Sequence, residues 1–205
     1  DAHSPSHIGR EANVFDTELD YFKITQAIKS KDPSKFLFTI EFFPQEGKYH
    51  FDGHRNCNIL FSPKQTKESN YACPNCGKRL TIGVMHRVEK LADRDEGFIP
   101  QNKIPYKHLI PLQEIIGEAV GMGVKSQTVQ KEYQRLVNEF GSEFKILLDI
   151  SKEDLDRVAS PRIAEGVTRV REGQVKITPG YDGVYGKINI FGEKEKKEEG
   201  QKSLF

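Results

Sequence analysis

The sequence has no tryptophan, two methionines and three cysteines, and it lacks any apolar run approaching the roughly 18 residues of a membrane span. With an apolar share of 36% against 30% charged residues, the cores should be small and the surface well solvated. No membrane partner is expected. The three cysteines all lie within residues 57–76, which excludes a disulfide framework and points to a reducing, cytoplasmic setting. Charge of one sign is also lacking: 31 Lys and Arg face 30 Asp and Glu, a net charge of +1. A uniformly basic nucleic-acid binder is thereby excluded, and any such contact must come from local patches. A phosphate-binding loop of Walker type is absent, which argues against a helicase accessory domain. Opening at Asp1 without a methionine, the 205 residues read as a piece of a longer chain, with room for one large domain or two small ones.

What is present centres on His54-Arg55-Asn56-Cys57 and Cys73-Pro74-Asn75-Cys76-Gly77. Two pairs, each spaced by two residues and separated by residues 58–72, match a zinc ribbon in which histidine replaces the first cysteine. The two-residue gap lets a tight turn aim both donors at one ion, and Gly77 can supply the positive φ such a turn often needs. A redox Cys-x-x-Cys pair is the competing reading, but it leaves Cys57 without a role. A catalytic zinc keeps an open position, and between the pairs Glu68 is the sole acidic side chain. A closed, structural site is expected. His50, four residues before His54, is the rival fourth ligand, although it does not repeat the spacing.

Elsewhere the pattern is ordinary. Residues 1–15 read as a loop in which Asp1 and His3, two apart, either face one ion as in hydrolytic metal sites or sit on an unremarked turn. Leu19, Phe22, Ile24, Ala27 and Ile28 predict a helix within 16–31, stopped by Asp32-Pro33. Residues 36–43 predict a strand leading into the cysteine segment, and 59–61 and 79–84 predict two short strands within it. Residues 86–94 look helical, and Pro100, Pro105 and Pro111 mark an extended connector. Helices follow over 112–120, from Ser126 to Gly141, after Ser151, and from Ser160-Pro161 to near Gly173. Residues 144–148 suit either a strand or the start of a helix. Residues 175–191 predict a hairpin, whose glycines beside Tyr181 and Tyr185 serve either a tight turn or a backbone that approaches a ligand. Lys64, Lys67, Lys78, Arg79 and Arg87 are either solubilising charges or phosphate contacts. Residues 193–203 are charged and free of apolar side chains, which predicts a disordered tail. It ends in Leu204-Phe205, a mere terminus or a peptide offered to a groove.

Taken in order, Asp1-Ala2-His3-Ser4-Pro5 with Ile8-Gly9-Arg10-Glu11, Thr39-Ile40-Glu41-Phe42-Phe43-Pro44, Gly47-Lys48-Tyr49-His50, the ribbon, and the run Pro179 to Gly186 resemble endonuclease Q. This is a DNA-repair nuclease of the polymerase and histidinol phosphatase superfamily. The resemblance implies an α+β fold: the C-terminal edge of a metal-dependent barrel (1–35), a zinc ribbon domain (36–95), a mainly helical DNA-binding region with a β-hairpin (96–192), and a disordered tail (193–205). It implies an endonuclease that nicks DNA 5′ of deaminated bases such as uracil and hypoxanthine, or of abasic sites, and that is nucleoid-associated. Asp1 and His3 match the last ligand motif of the barrel and would be catalytic, binding Zn, Mn or Mg. The other ligands are absent, so this piece alone is expected to be inactive. Lys78, Arg79, Arg87, Tyr181 and Tyr185 are the expected DNA contacts. Gln201, Leu204 and Phe205 are similar to the peptides by which repair proteins dock on sliding clamps. The alternative is a non-catalytic zinc-ribbon DNA-binding or adaptor module tethered to a clamp.

Overall fold

The computed structural model describes residues 8–192, and Asp1, His3, Gln201, Leu204 and Phe205 lie outside them. In chain order the elements begin with β1 (Ala12–Phe15), α1 (Tyr21–Ser30), β2 (Phe36–Glu41), β3 (Asp52–His54), β4 (Ile59–Phe61), α2 (Pro63–Glu68) and α3 (Val84–Leu91). There follow β5 (Tyr106–His108), α4 (Leu112–Val120), α5 (Gln127–Phe140), α6 (Glu143–Leu148), α7 (Lys152–Val158), α8 (Pro161–Arg171), β6 (Lys176–Thr178) and β7 (Lys187–Asn189). The fold is mixed α+β, with eight α-helices, three small sheets and no closed barrel among the described residues. It divides into two compact units: a helical unit of residues up to Phe42, Gln101–Lys176 and from Asn189 on, and a cysteine unit of Phe43–Pro100 with Ile177–Ile188.

In the helical unit, β2 is the central strand of a three-stranded sheet, antiparallel to β1 and parallel to β5. The strand expected to lead into the cysteines is thus paired on both sides within this unit, with Phe36 and Ile40 buried. The connector expected to be merely extended supplies β5, and Pro105, which has no N–H to offer, joins through its carbonyl, which accepts Thr39 N–H at 2.9 Å. The helix expected within 16–31 is confined to α1, since the Asp20 carboxylate caps Phe22 and Lys23 N–H and Lys31 turns left-handed at φ 50.

The core lies among α4 to α8. Leu112, Ile115 and Ile116 of α4, Val129 and Leu136 of α5, and Ile163 and Val167 of α8 are all at most 2% exposed. Gly166 permits the close crossing of α8 on α4, since a Cβ there would lie 2.8 Å from Ile115 Cγ2. Residues 144–148, ambiguous from periodicity, are helical because Ser142 caps α6 at Lys145 N–H and the Arg171 guanidinium donates to the carbonyls of Ile146, Leu147 and Ile150 at 2.5, 3.0 and 2.6 Å. The Glu143 carboxylate in turn accepts Leu112 N–H at 2.8 Å and Tyr133 O–H at 3.1 Å. Residues 190–191 are pinned by Glu118, which accepts Ile190 and Phe191 N–H at 3.1 Å, and by Arg162, which stacks 3.8 Å over the Phe191 ring.

In the cysteine unit, β3 and β4 form an antiparallel ladder pairing Asp52 with Phe61 and His54 with Ile59. Residues 79–84 do not form the expected strand. Thr81 exchanges both backbone hydrogen bonds with Gly53, at 2.9 and 2.8 Å, but the ladder stops there. It stops because Gly83 meets the Phe51 carbonyl so closely that even a Cβ would approach it to 2.4 Å, and α3 begins at Val84. The short helix α2 has a sequence signature that periodicity does not register: the Ser62 and Gln65 side chains form a reciprocal capping box around Pro63.

Candidate metal centre and its supporting loop

Two tight turns present the four sequence-predicted ligands. After His54 at the end of β3, a single 3₁₀ turn over Arg55–Cys57 closes at Asn58, whose φ of 53 reverses the chain. Cys73 N–H donates to the Lys78 carbonyl at 2.7 Å and Gly77 N–H to the Cys73 carbonyl at 2.8 Å. Gly77 takes φ +70, as the turn requires. The ligand atoms of His54, Cys57, Cys73 and Cys76 all lie within 4.8 Å of one another, and His54 Nδ1 stands 3.4 Å from Cys76 Sγ. Ordinary Zn–S and Zn–N bonds around a tetrahedron place neighbouring ligand atoms about 3.5–3.8 Å apart. The set therefore suits a four-coordinate ion, and a His/Cys3 donor group is compatible with zinc.

The thiols are differently poised. Burial pushes Cys73 up, but N–H donation from Asn75 and Cys76 and the nearby His54 ring outweigh it and hold the thiol at about 6. A hydrogen bond with Cys76, then burial, pushes Cys57 up to about 11. One ligand is thus close to its anionic form at neutrality, and an arriving ion would displace protons from others. No pair is joined as a disulfide: all three cysteines are free. With Cys57 in the cluster, the redox pair loses its support. His50 is elsewhere, buried at 8% exposure, edge-on to the Phe51 ring at 4.8 Å and hydrogen-bonded to the Pro44 carbonyl.

The turns are themselves held. Asp52, fully buried, accepts Gly83 N–H and His86 Nδ1 at 2.7 Å each, tying β3 to the start of α3. Asp182 reaches from the loop between β6 and β7 and accepts Arg55 N–H at 2.7 Å and Thr81 O–H at 2.5 Å. Burial works to raise its carboxyl, but the Thr81 and Arg55 hydrogen bonds prevail and keep it below the usual carboxylate value. Neither aspartate carries a signal in the spacing of the cysteines, so ligand reasoning missed both. The Asp182-Gly183 turn was legible, but not what its carboxylate holds.

The glycine-rich loop 179–186 lies along residues 45–51. Gly180 N–H donates to the Gln45 carbonyl at 2.8 Å, Gly183 N–H to Lys48 at 2.8 Å and Gly186 N–H to Glu46 at 3.0 Å. A Cβ on Gly180 would lie 2.3 Å from the Gly47 carbonyl oxygen, and one on Gly186 2.0 Å from that of Gln45. The glycines therefore admit another stretch of backbone. Tyr181 packs on Gly53, where a Cβ would meet its ring at 2.5 Å, whereas Tyr185 is 68% exposed. Lys78, Arg79 and Arg87 are exposed on the same unit. Lys67 pairs with Glu89 at 2.5 Å. Among the described residues no helix is long and apolar enough to cross a membrane.

Comparison with known proteins finds relatives that match nearly the whole chain. The family model of the MJ0043 C-terminal domain matches residues 111–174, the stretch from the start of α4 past α8. Protein MJ0043 of Methanocaldococcus jannaschii is 34% identical over 206 residues, covering 95% of this chain and 25% of its own length. YqxK of Bacillus subtilis is 35% identical over 190 residues, covering 92% of this chain and 45% of its own. The chain thus spans less than half of these curated relatives. Among solved structures, the lesion-specific endonuclease PfuEndoQ from Pyrococcus furiosus superposes with a TM-score of 0.80 at 32% identity, over 98% of this chain and 50% of that one. A structure of endonuclease Q in complex with a 27-mer duplex carrying an abasic lesion at its active site superposes with a TM-score of 0.72, also at 32% identity, over 93% and 48%. Sequence and fold agree, and the resemblance to endonuclease Q holds over nearly the whole chain, which corresponds to about half of such a protein.

Proposed function

We propose that this chain is the DNA-engaging portion of a metal-dependent repair endonuclease that nicks DNA 5′ of deaminated bases, uracil or hypoxanthine, or of abasic sites. The observation that carries the reading is the likeness to PfuEndoQ over 98% of the chain, supported by the second relative's complex with lesion-bearing duplex. In this reading zinc at His54, Cys57, Cys73 and Cys76 is a structural staple, because four protein ligands leave no position open for a substrate or a reacting water. Asp1 and His3 belong to the catalytic site and bind a divalent ion, Zn, Mn or Mg, together with ligands from the remainder of the protein. Lys78, Arg79 and Arg87 contact phosphates, and Tyr181 and Tyr185 flank the strand. Damaged pairs open at lower cost than normal ones, which favours them where a base must leave the stack. The tail from Gln201 through Leu204 and Phe205 docks on a sliding clamp, keeping the enzyme at the nucleoid. Residues 1–35, 36–95, 96–192 and 193–205 would then be barrel edge, zinc domain, helical DNA-binding region and tail.

A second reading, a non-catalytic zinc module acting as a DNA-binding adaptor, is favoured by the same closed set of four ligands. A nicking assay separates them. The longer natural protein should cut uracil-, hypoxanthine- or abasic-containing duplex in the presence of Mn or Mg, and this chain alone should bind the duplex without cutting it. Asp1→Asn and His3→Ala should each abolish cutting. A longer protein that binds but never cuts, under any of these metals, selects the adaptor.

A further inference from the structure

The cysteine unit carries a cluster of exposed cationic and aromatic side chains that neither its core nor the metal centre uses. Lys48 Nζ lies 5.7 Å from the centroid of the Tyr49 ring and 5.6 Å from that of Tyr185, so one ammonium is shared by two phenols. Both rings are open to solvent, Tyr49 at 46% and Tyr185 at 68% exposure. Arg55, also exposed, borders the same place: a Cβ built on Gly183 would stand 3.4 Å from Arg55 Nη1 and 3.7 Å from the Tyr49 hydroxyl.

The cluster is preorganised at the backbone. The Lys48 carbonyl accepts Gly183 N–H at 2.8 Å, the Tyr49 carbonyl accepts Val84 N–H at 2.8 Å, and Arg55 N–H is held by Asp182 at 2.7 Å. Gly186, next to Tyr185, is tied to Glu46 at 3.0 Å. Side chains so fixed lose little further backbone freedom on binding. The Asp182 carboxylate is taken up by Arg55 N–H and Thr81 O–H, so it does not draw Lys48 away. Tyrosine faces flanked by positive charge suit a flat base and its phosphate together: each base offers a π-face whatever its identity, and each phosphate a negative charge.

We propose that Tyr49 and Tyr185, with Lys48 between them and Arg55 beside them, form a stacking platform for unpaired nucleotides of a DNA strand. Bases lie on the tyrosines and phosphates against the two cations. The proposal rests on the DNA-binding reading above; it adds Lys48, Tyr49 and Arg55 and specifies that unpaired nucleotides, rather than paired duplex, are what this surface holds.

The test is fluorescence anisotropy with the zinc-loaded full chain and labelled DNA of three kinds: a fully paired duplex, the same duplex with a bubble of unpaired thymines, and a single strand. Tyr49→Ala and Tyr185→Ala should each weaken binding to the bubble and the single strand by about 5- to 150-fold, and change binding to the paired duplex by no more than about twofold. Tyr185→Phe should keep most of the lost affinity. Lys48→Gln should lower the slope of log affinity against log salt on the single strand by about 0.7. Wild-type protein that binds DNA while both alanine variants match it on the bubble overturns the platform and leaves the DNA-binding reading standing. Equal losses on paired and unpaired DNA also overturn it. Wild-type protein that binds none of the three DNAs overturns both. Unchanged melting of the alanine variants, expected from the exposure of the two rings, excludes unfolding as the source of any loss.

Discussion

Gly186 has no room for a methyl group, since a Cβ would stand 2.0 Å from the Gln45 carbonyl oxygen, and backbone on both sides prevents a yielding side chain from absorbing the clash. Gly186→Ala should therefore lower the stability of the cysteine unit by about 1–3 kcal/mol, read from chemical denaturation. Gly77 makes the contrast: it has open space around it but φ +70, so Gly77→Ala should cost about 1–2 kcal/mol from backbone conformation alone. The turn character of both glycines was legible in the sequence. The backbone lying against Gly186 was not, because residues 45–47 are remote from it along the chain. His50 illustrates the same limit. Burial holds its pKa below the ordinary 6.5, with the Pro44 hydrogen bond only partly opposing. The folded ring thus resists a proton that the unfolded chain accepts. Its contribution to stability is present above about pH 6.5 and is lost as the pH falls through the depressed folded value. Melting curves between pH 8 and 5 should accordingly fall less steeply for His50→Gln than for wild type, with metal held saturating. Equal slopes would show that the ring is not held neutral.

At the level of elements, caps decided what periodicity left open. Residues 144–148 could not be assigned from their apolar pattern, and Ser142 at one end with Arg171 at the other makes them helix α6. Arg171→Ala should remove three charge-assisted hydrogen bonds to carbonyls of the last turn and beyond, lowering stability by about 1.5–3 kcal/mol. Arg171→Lys should recover only part of this, because a single ammonium does not match the span of a guanidinium fork. Urea denaturation of the three proteins checks both statements. The expected strand over 79–84 failed for the opposite reason: its composition suits a strand, but Gly83 must pass the Phe51 carbonyl and its N–H is taken by the Asp52 carboxylate at 2.7 Å. Local pattern is a weak guide where a buried carboxylate claims the backbone donor. The amphipathic helices, by contrast, were visible because local signals agree: apolar spacing with a serine cap in α5 and α8, and apolar spacing closed by a glycine, Gly121 and Gly141, in α4 and α5.

For the molecule as a whole, two units with different sources of stability should respond differently to loss of metal. The helical unit holds the long apolar side chains of α4, α5 and α8. The cysteine unit has few fully buried apolar residues and gathers four ligand atoms within 4.8 Å. Prolonged chelation, or Cys73→Ser, should abolish the thermal transition of the cysteine unit and leave the far-ultraviolet helical signal of α4 to α8 largely in place. A single transition unaffected by chelation would show that the cluster holds no structural ion. Chelation should also free the loop 179–186 to hydrogen exchange, because the turn after His54 supplies the N–H that Asp182 accepts. By itself the sequence determined three cysteines at metal-ligand spacing, with His54 preferred over His50 beside them, and most of the helices, because ligand spacing, caps and 3.6-residue periodicity are local properties of the chain. Only the tertiary structure decided that β2 belongs with β1 and β5, that residues 177–188 return to the cysteine unit, and that Lys48, Tyr49, Arg55 and Tyr185 meet. Those are pairings between distant segments, set by backbone hydrogen bonding and by the absence of side chains at Gly180 and Gly186, and neither leaves a periodic trace in the sequence.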